Sequence, residues 1–249
     1  MTDASANHTD APAGPLTAFG PEIWLAEGPV VDGMAGFHYP TRMALIRLPE
    51  GGLFVWSPTA LTEELRAATD DLGPIQDIVA PNALHHLFLS DWAEAYPAAR
   101  IHGTVELKDK RPDISFTTSL DAAAPEAWAG HIDQTIFPNR IANEAVFFHR
   151  ASGTVLITDL IQQLPRDWYS GWRGLVARLD LMTAPRPSVP RKFRLATRDR
   201  PAARAAAVTI LGWPATTLVM AHGTPVRTDA ARTLAQAFDW LVPPPASSG

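Results

Sequence analysis

Short apolar runs separated by turn residues fall into two groups along the chain, and helix-like stretches accompany each group. The first group comprises Glu22–Leu25, Met43–Leu48 and Leu53–Trp56. Gly51-Gly52 predicts a hairpin turn between the last two, within a loop that Pro49-Glu50 lengthen. Thr62 to Thr69 reads as a helix, with Thr62 as N-cap, Glu63 and Glu64 in the first turn and Gly73-Pro74 as the stop. A buried strand over Ile75–Ala80, a helix over His85–Tyr96 closed by Pro97, and a strand over Arg100–Gly103 complete this half. The second group predicts strands at Ile132–Phe137, Glu144–His149 and Thr154–Asp159, the last two joined by the turn Ala151-Ser152-Gly153. Residues 165–212 read as mainly helical, broken by prolines at 185, 187, 190 and 201. A buried strand over Thr217–Ala221 follows. A closing helix spans Thr228–Leu241, with Ala231, Leu234, Ala235, Phe238 and Leu241 on one face. Strands in two groups, each ending in helix, predict an α/β protein of two sheets with helices packed outside.

Composition narrows this only slightly. Residues 1–21 read as a disordered N-terminal arm and Val242–Gly249 as a flexible tail, which leaves 22–241 as one domain without linker or repeat. The N-terminal stretch lacks the basic and apolar regions of a signal peptide. The longest apolar runs, such as Ala205–Trp213, fall well short of the ~20 residues of a membrane span. The reading is cytoplasmic, with no membrane partner. A net charge of -5 gives no electrostatic reason for a nucleic-acid partner. With no cysteine in the chain, any metal must sit on histidine and carboxylate.

Of the eight histidines, most have bland settings. His8 lies in the arm, His102 in a strand-like run, and His149 at a strand end before a turn, where a structural place is expected. Three other places share one feature. His85 and His86 follow the strand Ile75–Ala80 after a short loop, Asp159 ends the strand from Thr154, and His222-Gly223 follow the strand from Thr217. The ends of buried strands are where α/β folds gather their sites. They are also where polar residues simply resume, so spacing alone leaves both a metal site and an ordinary strand boundary open.

These residues resemble the metallo-β-lactamase superfamily. Ile78-Val-Ala-Pro-Asn-Ala-Leu-His-His-Leu is similar to that family's apolar strand followed by T-H-x-H-x-D-H, with His85 on the motif's Asp and His86 on its last His. Gly153-Thr-Val-Leu-Ile-Thr-Asp resembles the strand ending in the metal-bridging Asp, and Val219-Met-Ala-His-Gly the late His ligand. Leu53-Phe-Val-Trp-Ser-Pro lies where the family has a strand ending in D-x-G. The resemblance implies a four-layer αββα sandwich over roughly residues 22–240, in an uncharacterised bacterial branch with a degenerate motif.

It also implies which half of the usual two-metal site persists. The first two motif histidines are replaced by Pro81 and Ala83, and no His falls near Asn143 or Glu144, where a third is expected. The equivalents of the second site are His85, His86, Asp159 and His222, so one divalent metal ion is expected on those four residues. Zn²⁺ is the first choice, with Fe²⁺ or Mn²⁺ as alternatives. Asp159 and Glu144 are the catalytic candidates, Glu144 as a general base. The opposing reading of Glu144 is a solvated strand edge. His38 follows a Gly-rich loop, Asp32 to Phe37, placed to overhang the site.

Residues 166–204 hold ten Lys and Arg against the three acids Asp167, Asp180 and Asp199. Arg191, Arg194 and Arg198 are candidates to bind an anionic small-molecule substrate, with a solvated helical face as the plain alternative. Two functions follow. One is a mononuclear metal-dependent hydrolase acting on a small ester, thioester or phosphoester. The other is a non-catalytic, metal-stabilised binding protein that uses the Arg-rich helices as its interaction surface. Neither the substrate nor the oligomeric state is legible.

Overall fold

In the computed structural model, which describes residues 14–120 and 123–243, strict alternation along the strands sorts side chains into three apolar layers. The first half of the chain contributes β1 (Thr17–Gly20), β2 (Ile23–Asp32), β3 (His38–Arg47), β4 (Leu53–Trp56), α1 (Glu63–Leu72), β5 (Ile75–Ala80), α2 (Leu89–Ala95), β6 (Arg100–Gly103), α3 (Val105–Lys110) and β7 (Thr118–Ser119). The second contributes β8 (Ile132–Phe137), β9 (Glu144–His149), β10 (Thr154–Ile157), α4 (Gly171–Leu179), α5 (Arg191–Ala196), α6 (Arg200–Gly212), β11 (Thr217–Met220) and α7 (Ala230–Ala237).

One sheet runs β1-β2-β3-β4-β5-β6-β7 and the other β11-β10-β9-β8. The first is antiparallel through β4 and parallel from β4 to β7. The second is antiparallel except for the parallel β10–β11 pair. On β4, Phe54 and Trp56 face the other sheet, where they pack with Trp128, Phe147 and Leu156. Leu53 and Val55 face the opposite way, onto Leu65, Leu89 and Trp92 of the helical layer. On β10, Leu156 points between the sheets while Val155 and Ile157 meet Ala203, Ala207 and Ile210 of α6. Period-2 alternation in strands buried on both faces thus produces the four-layer αββα sandwich.

The helix boundaries follow local chemistry. Thr62 Oγ1 accepts the Leu65 N–H at 3.1 Å, and Gly73, at φ 149°, ends α1 in a conformation that L side chains rarely adopt. Several expectations shift. Thr17–Gly20, assigned to the arm, instead pairs with β2 as an edge strand, so the ordered fold begins earlier than residue 22. Residues 1–13 of that arm, and 244–249 of the tail, lie outside the described residues. The helix expected from His85 starts at Leu89, which leaves both histidines in the loop before it. In α7 the buried positions are Ala230, Leu234 and Ala237, continued by Phe238 and Leu241, whereas Ala231 and Ala235 are exposed. The Leu234–Phe238–Leu241 seam sets the face, and the small alanines, which carry little apolar area, misplace its edge. Among the described residues no helix is long and apolar enough to cross a membrane.

Candidate metal centre

The carboxyl ends of parallel strands from both sheets meet at one place. Ser57 follows β4, Asn82 and His85 follow β5, Asp159 follows β10, and His222 follows β11. There His85 Nε2 lies 3.2 Å from Asp159 Oδ2, His222 Nε2 lies 3.3 Å from Asp159 Oδ1, and the two imidazole Nε2 atoms are 3.3 Å apart. Among the described residues these three form the group that can hold a metal ion, one ligand atom from each lying within 4.8 Å of the others.

The donor chemistry fits such an ion. His222 Nδ1 is 2.8 Å from the Pro40 carbonyl, which can only accept. The proton therefore sits on Nδ1, and in the neutral ring Nε2 keeps its lone pair for a metal. His85 Nδ1 is 2.8 Å from Ser57 Oγ. A hydroxyl both donates and accepts, so Ser57 supports either tautomer of His85. Ser57 itself sits at φ 52°, an uncommon conformation for a residue with a side chain, which turns its hydroxyl toward the imidazole.

Asp159 is aimed by a buried scaffold. Glu144, in β9, accepts the backbone N–H groups of Thr158 at 2.6 Å, Asp159 at 2.9 Å and Leu160 at 3.0 Å. Asn82 donates to Asp159 Oδ2 and Thr158 Oγ1, each at 2.9 Å, while its own Oδ1 accepts the N–H groups of Leu84 at 2.8 Å and His85 at 3.0 Å. One side chain therefore ties the loop that carries His85 to the strand end that carries Asp159. Burial acts to raise the Asp159 carboxyl, yet the imidazoles of His85 and His222 hold it well below the ordinary carboxylate range. Glu144 moves the other way: burial and the neighbouring Asp159 charge raise its carboxyl, against the pull of the N–H groups it accepts. On the last strand, the Arg42 guanidinium donates to the carbonyls of Met220 and Gly223 and pairs with Glu27 at 2.7 Å. A Cβ at Gly223 would stand 2.9 Å from the Gln163 backbone oxygen, so the residue after His222 must be glycine for this approach.

The structure brings together three of the four expected ligands. His86 is turned away, its Nδ1 3.1 Å from the Arg111 guanidinium, and burial with the nearby charges of Lys110 and Arg111 lowers its pKa. In this turning loop the two adjacent side chains point apart, His85 to Ser57 and Asp159 and His86 to Arg111. Glu144 is also corrected. It is buried rather than on a solvated edge, both its oxygens accept backbone N–H groups beside Asp159, and it takes no part in the cavity wall. Arg191 donates to the Leu179 carbonyl, Arg194 donates to Val189 and lies over the Trp240 ring, and Arg198 lines a separate cleft with Arg140. None of the three reaches the site. Lys192, between them, does.

The three donors lie at the base of a cavity of about 540 Å³ walled by Met34, Phe37, Leu84, Leu87, Ile141 and Phe193, with Lys192 on one side. The Gly33–Phe37 segment overhangs it as expected, while the His38 ring packs on Trp168 and Tyr169 instead. Sequence reasoning missed Asn82, Ser57 and Arg42, and took Lys192 only as one member of the basic run. Ser57 and Asn82 satisfied the same test as the histidines, a polar residue just past a buried strand; nothing local marks Arg42, whose partners are distant in the chain.

No curated protein is significantly similar to the chain in sequence. Among solved structures, the metal-soaked Flv1 flavodiiron core from Synechocystis sp. PCC6803 matches with a TM-score of 0.61 at 13% identity, over 93% of this chain and 62% of that one. This chain thus spans less than two thirds of the flavodiiron core. The metallo-β-lactamase FIM-1 from Pseudomonas aeruginosa, in its mono-zinc form, matches with a TM-score of 0.60 at 13% identity, over 94% of this chain and 98% of its own. A metallo-β-lactamase from Hirschia baltica gives 0.57 at 11% identity, over 91% and 98%. At such identities the likeness is one of fold. A family model for a domain of unknown function, DUF4336, matches residues 22–239, and the chain, built on the metallo-β-lactamase fold, belongs to that family.

Proposed function

We propose that the chain is a mononuclear metal-dependent hydrolase that holds one divalent ion on His85, Asp159 and His222 and cleaves a small ester, thioester or phosphoester. The observation that carries the reading is the count of donors facing a cavity. Four protein ligands would saturate a tetrahedral zinc, as in structural sites, whereas two imidazoles and one carboxylate leave a position open. Zn²⁺ suits this set best, and Fe²⁺ or Mn²⁺ remain chemically suited to it. When bound, the ion would supply Lewis acidity and a water whose pKa is lowered toward neutrality. Pro81 and Ala83, which carry no donor, support a single metal rather than a pair.

The chain's own groups hold this arrangement ready. The Pro40 carbonyl fixes the His222 tautomer, the Ser57 hydroxyl orients His85, and Asn82 with Glu144 aims Asp159. The substrate is a small molecule that enters the cavity lined by His85, Asp159 and His222.

The test is turnover by the zinc-loaded protein across carboxyl esters, thioesters and phosphoesters. Hydrolysis of at least one class is expected, falling by ~100-fold or more in Asp159→Ala. Equal rates in Asp159→Ala and the parent would overturn the assignment.

A further inference from the structure

The wall of the cavity carries information beyond the reaction class. Met34 is 91% exposed, Leu87 61%, Leu84 46% and Ile141 41%. They ring one concave site, and an apolar rim of this kind marks a ligand-binding surface. The charged groups are few. Asp32 and Asp159 are the acids of the lining, and Lys192 is its one cationic side chain. Lys192 Nζ pairs with Asp180 Oδ2 at 3.5 Å, donates to Met182 Sδ at 3.6 Å, and lies within 5.9 Å of the Tyr39 ring and 5.8 Å of the Phe193 ring. An ammonium held against two aromatic faces at the edge of an apolar wall is placed to receive one anionic group.

We infer that the site takes an amphipathic monoanion: an acyl or aryl chain lying on the wall formed by Met34, Leu84, Leu87 and Ile141, with one carboxylate at Lys192. A polyphosphate would meet two carboxylates and a single ammonium, and a sugar would leave its hydroxyls against hydrocarbon. The substrate class of the proposed hydrolase thereby narrows to carboxyl esters or thioesters that carry an apolar acyl or aryl chain and one free carboxylate. The inference rests on that reading for the chemistry, but ligand binding itself does not require turnover.

The experiment is calorimetric titration of the full-length protein, with and without one equivalent of Zn²⁺, using octanoate, octanol and acetate. Octanoate is expected to bind about 100-fold or more tightly than acetate, since each buried methylene adds to affinity. Lys192→Gln is expected to weaken octanoate about 5- to 10-fold and leave octanol unchanged. Met34→Glu, at an exposed position that folding does not depend on, is expected to weaken octanoate and octanol alike. Equal affinities for acetate and octanoate, no octanoate binding at all, or indifference to both substitutions would overturn the inference. Tight octanoate binding without hydrolysis of any ester would leave the inference standing and remove the hydrolase reading. Hydrolysis of short polar esters by a protein that does not bind octanoate would do the reverse.

Discussion

Two buried aspartates in this fold each meet histidine, and they differ in what completes them. Asp77, within β5, accepts from His102 Nε2 at 2.8 Å and from two nitrogens of Arg100, each at 2.8 Å. His102 is satisfied at its other nitrogen by Thr118 at 2.7 Å, and its ring stands edge-on to Trp128. Burial acts to raise the Asp77 carboxyl, but His102 and Arg100 hold it below its usual range. Both oxygens of Asp77 and both ring nitrogens of His102 have partners within the protein. Asp159, past the end of β10, meets two imidazoles and an amide but no fixed cation, and its cluster faces a cavity. The residue types are nearly the same. The Asp77 carboxylate is closed by an arginine, whereas Asp159, left to histidines at a cavity, keeps the place that the proposed ion would fill.

That contrast predicts different losses in the two places. The largest effect is expected for His222→Ala, which should reduce zinc affinity by more than the ~10–100-fold typical of an outer hydrogen-bond partner, as chelator competition would show. Without metal it should also lose stability, because the buried Asp159 carboxylate keeps only one of its two imidazoles. Asp77→Ala should cost about 3 kcal/mol in urea unfolding while zinc affinity stays at the parent value. Equal zinc losses in both variants would erase the distinction.

His149 extends the comparison to pH. Burial lowers its pKa from 6.5 to about 4, so the fold holds the neutral ring, beside Ser152 at 2.8 Å. A base with a depressed folded pKa contributes stability that is present above pH 6.5 and lost as the pH falls toward 4. The loss should be about 2 kcal/mol, allowing for solvent screening, and should flatten in His149→Gln. Ser57→Ala should weaken zinc binding about 10-fold by freeing the His85 ring. The smallest effect belongs to His86→Ala, whose zinc affinity should stay within about 2-fold of the parent, because that ring faces Arg111.

Much of the fold was legible because both of its periodicities are strong. Alternation in Leu53–Trp56 and Thr154–Ile157 places side chains on defined layers, and Thr62 with Gly73 bounds its helix by capping chemistry alone. The edge strand Thr17–Gly20 escaped notice because its composition resembles a loop and its order comes from pairing with β2. The three residues that could hold a metal were legible as polar residues past strand ends. His86 was not separable from His85, since the direction of a side chain in a loop depends on contacts such as Arg111, distant in sequence. Asn82 was overlooked between the two replaced ligand positions, although an Asn after a strand commonly ties down the following N–H groups. Lys192 lay inside a run of basic residues in which Arg191, Arg194, Arg200 and Arg204 donate to backbone carbonyls. Only the packing of α5 against the cavity distinguishes it.

The central claim is three ligands and one metal. Its most direct test is zinc stoichiometry across four variants, measured by chelator competition on protein prepared without metal. One equivalent is expected for the parent and for His86→Ala, with tight binding lost in His85→Ala, Asp159→Ala and His222→Ala. Two equivalents in the parent, or loss of the ion in His86→Ala, would contradict the account.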